Sequence, residues 1–200
     1  MRVSTIDGIN ALASILIDDK LLGNGAIEFG SPDLIIMNSG GPATHLASNS
    51  ILCGPSKTRI VIKQPASLET EQKYDALLGE IVIDYDKLNF TAEVEEWKHG
   101  CWYHSNIISA NSMTDLFNKL TKLTPHVDFV LNNDELLPDG PFWSGAISYD
   151  LVQWTQPLNL TNVPTEGDVL AVMWLVEDYV IHSNLSNKFQ VFGTNSKWVD

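Results

Sequence analysis

The sequence predicts an α+β fold with largely antiparallel sheets in a layered arrangement, built as a single domain over residues 1–200. Three observations lead there. Many short apolar, β-branched segments are separated by turns rich in Gly, Pro or Asn. Only two segments carry apolar residues strongly at helical spacing. Helices and strands do not alternate in the regular way that a parallel sheet with crossover helices requires. No internal repeat, low-complexity tract or linker divides the chain.

The elements follow in order. Ile9, Leu12, Ile15 and Leu16 share a helical face after Asp7, so residues 8–18 are expected to be a helix capped by Asp7 or a neighbour. Residues 25–29 (GAIEF) and 33–37 (DLIIM) flank Gly30-Ser31-Pro32, which predicts two strands about a turn. Residues 38–49 read as loop. Residues 51–53 and 58–63 flank Gly54-Pro55-Ser56, a second strand–turn–strand signal. A short helix is expected over 69–78, then strands over 80–85 and 90–97. Ser112 and Asp115 fit a capping box ahead of Leu116, Phe117, Leu120 and Leu123, and Pro125 ends that helix. Residues 127–131 read as a strand, 132–141 as an acidic loop, and 142–150 as a strand entering a turn, with a short helix to Trp154. The strands 168–177, 179–183 and 188–193 follow, the last two pairing as an antiparallel hairpin.

Composition excludes some functions. Acids outnumber bases 25 to 12, a formal charge of −13, so the chain lacks the Lys/Arg face that nucleic acid or a polybasic membrane contact needs. No stretch approaches the roughly 18 apolar residues of a membrane-spanning helix. The N-terminus reads as mature protein. Two cysteines, Cys53 and Cys101, make no disulfide framework, and a cytoplasmic setting is expected.

Candidate chemistry is sparse. His99, Cys101 and His104 form the one metal-like cluster, but a zinc site needs a second ligand pair. Aromatic packing in a strand or loop is the simpler reading. Glu93, Glu95 and Glu96, with Asp84 and Asp86, form an acidic patch that reads as a solvated face, Glu93 and Glu95 sharing one side of a strand. Ser39-Gly40-Gly41-Pro42 lacks the lysine and following helix of an anion loop. Ser144 and Ser148 stand in no nucleophile elbow, and nothing ties either to His182. Trp143, Tyr149, Trp154 and Trp174 read as core and seam residues. No catalytic residue, metal or cofactor is expected in this chain.

One stretch goes further. Gly145-Ala146-Ile147-Ser148-Tyr149-Asp150-Leu151-Val152 resembles the G-Y-(I/L)-S-Y-D-x-V segment in the N-terminal domain of anthranilate synthase component I and aminodeoxychorismate synthase component I. The hairpin at 173–193 resembles the family's in length and separation, with Ser183-Asn184 where Asp-His would sit, so the likeness covers residues 137–193. Upstream, 25–29 and 47–51 resemble the family's G-L-L-E-S and A-R-Y-S-(V/F)-I segments, placing Glu28 and Ser50 at a feedback ligand site. Phe29 and Ser48 replace that site's serine and arginine, which argues against tryptophan as ligand. Gln153 and Gln156 replace Arg and Glu, and Pro141-Phe142 replaces Gly-Gly.

The resemblance implies a non-catalytic accessory domain of a chorismate-utilising synthase, in the anthranilate (tryptophan) or para-aminobenzoate (folate) pathway. Its partners would be a chorismate-binding catalytic domain or subunit, which this chain lacks, and a glutamine amidotransferase. Ser148, Tyr149 and Asp150 would hold the joint by local hydrogen bonds, with Asp150 capping the next helix. Trp143, Trp154 and Trp174 would form an exposed partner face. The alternative is a stand-alone module binding an amino acid or aromatic acid near Glu28 and Ser50.

Overall fold

The computed structural model describes residues 8–39, 48–64, 72–75, 77, 79–83, 90–127, 138, 140–154 and 164–193, with backbone alone for 72–75, 80–83, 90 and 152–154. The elements are α1 (Ile9–Asp18), β1 (Ile36–Met37), β2 (Asn49–Cys53), β3 (Thr58–Lys63), β4 (Gln72–Asp75), β5 (Glu80–Ile83), β6 (Phe90–Lys98), β7 (Cys101–Ala110), α2 (Met113–Leu123), β8 (Phe142–Ile147), β9 (Val169–Val176), β10 (Tyr179–Ser183) and β11 (Lys188–Phe192). The fold is α+β. A four-stranded sheet has the order β1-β2-β10-β11, a five-stranded sheet the order β7-β6-β3-β9-β8, and β4-β5 form a separate hairpin. Every described pairing is antiparallel.

One bent ribbon joins the two larger sheets. β2 runs beside β10 from Asn49–Ser183 to Cys53–Tyr179, and β3 runs beside β9 from Arg59–Trp174 to Lys63–Val169. The bend lies at residues 54–57 and 177–178. There the Gly54 N–H donates to the Asp178 carbonyl at 2.6 Å. A Cβ on Gly54 would stand 2.9 Å from that oxygen, so glycine lets the two chains pass. The Ser56 hydroxyl lies 2.7 Å from the carbonyls of both Thr58 and Leu175, tying the bend across the ribbon.

Each sheet carries one helix. Ile9 and Ala13 of α1, with Leu12 and Leu16 beside them, pack on Leu52 and Val180. The other face of that sheet buries Cys53, Tyr179, Ile181 and Phe192, with Phe142 reaching over from β8. Leu116 and Leu120 of α2 pack on Ile60, Ile62, Ala92, Val94 and Ile108 of the five-stranded sheet. The second helix starts as its capping box predicts. Ser112 Oγ accepts from the Asp115 N–H at 3.1 Å, while the Asp115 carboxylate accepts from the Asn111 N–H, one residue before the usual box position. Lys119 first, then that N–H, hold the Asp115 carboxyl below its ordinary value.

Several expectations are corrected. Residues 25–29 form no strand. Gly23–Ala26 is a 3₁₀ turn whose Ala26 carbonyl accepts from the N–H groups of Phe29 and Gly30, because the Gly-Asn-Gly run bends more readily than it extends. Within 33–37 only Ile36 and Met37 pair. Gly8, with φ 85°, holds the N-cap position of α1 without a side-chain cap, and Asp7 lies outside the described residues. Within the expected helix 69–78 the described residues 72–75 are β4, paired with β5 through Tyr74–Ile81 and its neighbours, so cross-strand pairing prevails there over a weak helical preference. β7 takes in Cys101 and His104 of the His99 cluster and runs on to Ala110. His99 and Gly100, at φ 52° and 80°, make the left-handed two-residue turn that closes the β6–β7 hairpin. Val127 lies in no strand, and 128–131 are outside the described residues.

Candidate functional site

Strand alternation decides most of the candidate clusters. Cys101 and His104 are three residues apart on β7 and therefore point to opposite faces, while His99 sits in the turn. Among the described residues no three of His, Cys, Asp and Glu converge as metal ligands. Both cysteines are free thiols, Cys53 buried and Cys101 exposed. Burial pushes the Cys53 thiol up to about 12, which removes it as a nucleophile.

The described carboxylates of the acidic patch are paired. Glu95 accepts from Arg59 Nε at 2.6 Å, Glu93 from Lys63 at 2.7 Å, and Glu96 pairs with Lys98. Arg59 also stacks 4.4 Å above the Trp102 ring and lies 3.9 Å from Asp33, whose carboxylate accepts from Trp174 Nε1 at 2.9 Å. Such a network fixes the outer face of the sheet. Asp84, Asp86 and Gly40–Pro42 lie outside the described residues. Ser144 and His182 belong to different sheets. His182 is buried, stacks on Phe189, and meets Asn187 Oδ1 through Nε2 at 2.7 Å.

The joint at 145–150 is a structural device with its roles reversed. Ser148 Oγ accepts from the Asp150 N–H at 3.2 Å and donates to the Asp150 carboxylate at 3.0 Å, so Ser148, not Asp150, caps the 3₁₀ turn Tyr149–Trp154. Tyr149 is 78 % exposed, so it stands away from the turn it was expected to hold. Gly145 is required where β8 crosses β9: a Cβ there would lie 2.0 Å from the Val172 carbonyl.

The tryptophans do not form one face. Trp143 is opposite Leu175 and Ser144 opposite Trp174, so Trp143 and Trp174 project from opposite sides of the sheet. Both are half-buried, and their indole N–H groups are engaged internally, that of Trp143 by Thr124 Oγ1 at 2.9 Å. The Trp154 side chain lies outside the described residues.

Glu28 and Ser50 do not meet. Glu28 is exposed after the 3₁₀ turn, close to Ile27, whose carbonyl accepts from Trp97 Nε1. Ser50 is buried in β2 among Asn38, Ser39 and Asn184.

Two features went unread in the sequence. The first is a cleft. An eleven-residue α2 spans about 16 Å, whereas nine- and ten-residue β6 and β7 span about 30 Å. The helix therefore stops half-way along the sheet. Beyond its end a cleft of 470 Å³ is lined by Val94, Leu123, Trp143 and Leu175, with Glu96 and Glu177 at its polar side. A β7 bulge contributes: Val94 pairs with Asn106 and Glu95 with His104, leaving Ser105 turned toward the cleft beside Asn106. Lys98 holds the Glu96 carboxyl below its ordinary value. Burial, and then the neighbouring Asp178, raise that of Glu177.

The second is the outer edge of β7. Among the described strands it is terminal in the sheet, and seven of its ten residues are exposed, including Tyr103 and Ile107. It contains no Asp, Glu, Lys, Arg or Pro, the residues that usually blunt an edge, although Lys119 of α2 donates to the Ser109 carbonyl and the Ile107 N–H donates to the Asn106 side chain. A shallow groove of 330 Å³ follows it, between Ile107 and Ser109 on one side and Lys119, Lys122 and Leu123 of α2 on the other.

No helix among the described residues is long and apolar enough to cross a membrane. Comparison with protein-family models, curated proteins and solved structures finds no match to this chain.

Proposed function

We propose that the chain is a non-catalytic accessory module that works by docking a catalytic partner, the role implied by its resemblance to the N-terminal domain of chorismate-utilising synthases. The observation that carries this reading is the uncharged, exposed β7 edge, a template for adding a strand from another protein. The ion pairs of Glu93, Glu95 and Glu96 fit a structural role for the described part of the acidic patch. The docking surface is therefore assigned to β7 instead of the three tryptophans. The partner class the resemblance names is a chorismate-binding domain or subunit, with a glutamine amidotransferase beside it.

Co-expression with such proteins from the same source, followed by size-exclusion chromatography and a chorismate-turnover assay, tests this. A stoichiometric, active complex is expected, lost on Ile107→Lys, beside an inert isolated chain. A chain that stays monomeric with every partner, or a complex indifferent to Ile107→Lys, overturns it.

A further inference from the structure

We propose that the cleft beyond the C-terminal end of α2 binds an organic cation, a primary amine on an aromatic or aliphatic body. The proposal does not depend on the docking role. At 470 Å³ the cleft falls in the size range of small-molecule sites, roughly 300–1,000 Å³. Its walls join an apolar surface to acceptors: Val94, Leu123 and Leu175 on one side, the Asn106 amide and the Glu177 carboxylate on the other. No Lys or Arg lines it.

Three features select a positive charge. Glu177 makes no close ion pair among the described residues; it stands partly buried next to Asp178, and Lys57 offsets its charge only from a distance. An ammonium in the cleft would supply a direct counter-charge and a charge-assisted hydrogen bond. The negative end of the α2 dipole ends at Leu123, on the rim of the cleft. The Trp143 ring is held by its bond to Thr124, which presents a fixed aromatic surface to the body or the charge of the ligand. Glu96 adds acceptors, although Lys98 already shares its charge. The same two carboxylates repel an anion, which separates this site from one for an aromatic acid.

Titration with phenethylamine, followed by calorimetry and by the indole N–H resonances, tests the site. Trp143→Phe identifies which indole signal belongs to the cleft. Saturable binding with a Kd of roughly 1 mM is expected, with a shift of the Trp143 signal and none on adding 3-phenylpropionate. Glu177→Gln should weaken binding about tenfold, while Asp18→Asn, an exposed acid on α1, should leave it unchanged. Thermal melting of each variant shows that it is folded. Absence of saturable binding, equal binding by Glu177→Gln, or equal weakening by Asp18→Asn overturns the proposal, the last because it would reduce binding to attraction by the chain's overall negative charge.

Discussion

The two sheets differ in how well their helices fit them. In the four-stranded sheet a ten-residue α1, about 15 Å long, lies over five-residue strands of about 17 Å. Helix and strand match, the opposite face is filled by the Tyr179 cluster, and the polar Ser50 and His182 are buried within the layer. In the five-stranded sheet the helix is about half as long as β6 and β7, the longest strands it covers. The cleft lies beyond its end, the outer face is occupied by ion pairs, and β7 pairs with no described strand on its outer side. A mismatch of length thus leaves surface that binding can use, while a matched layer is spent on stability.

The sharpest contrast between the regions is chemical. Iodoacetamide at neutral pH should alkylate the exposed Cys101 of β7 and leave the buried Cys53 of β2 untouched until the protein is unfolded, by mass spectrometry of the two peptides. Modification of Cys53 in the folded chain would show that the four-stranded layer opens. Next comes Gly145→Val, which forces side-chain atoms into the Val172 carbonyl. It should cost more than about 3 kcal/mol in urea denaturation, because the obstacle is backbone and cannot rotate away.

Leu52→Ala and Leu116→Ala remove fully buried side chains, one from each layer, and each should cost about 2–5 kcal/mol. The Leu52 variant should lose more, since α2 can settle toward the cleft beyond its end. The reverse order would break the comparison. Ser56→Ala removes the hydroxyl at the bend and should cost about 1–2 kcal/mol by the same measurement.

The smallest effect concerns Glu177. Its carboxyl is raised in the folded state, so the fold holds that proton more firmly than the unfolded chain, and stability falls as pH rises from the ordinary carboxylate range through the folded value. Glu177→Gln should therefore raise the melting temperature slightly at pH 7 and leave it unchanged in acid. A lowered melting temperature at pH 7 would show that the carboxylate has a stabilising partner.

Much of this architecture was legible in local signals. Alternation and turns located β3, β6, β9 and the β10–β11 hairpin, and Ser112 with Asp115 marked the start of α2, because these signals are consequences of short-range geometry. The His99–His104 stretch read as a strand or loop with aromatic packing, and the His99-Gly100 hairpin turn within it went unread. The serine of the S-Y-D turn was visible, yet which side chain caps it depended on a bond of 3.2 Å. The two tryptophans expected on one face were separated by register, since a shift of one residue reverses a side chain's face.

The amino-acid sequence by itself determined the fold class, the acidic character that disfavours nucleic acid, and most strand and helix positions, because propensity, period and charge act over a few residues. Only the tertiary structure decided which groups meet. Residues from α2, β3, β6, β7, β8 and β9 line one cleft although they span positions 58 to 177, while Glu28 is left exposed and Ser50 buried. The reason is that pairing register and relative element length set these distances, and both belong to contacts between segments remote in the chain.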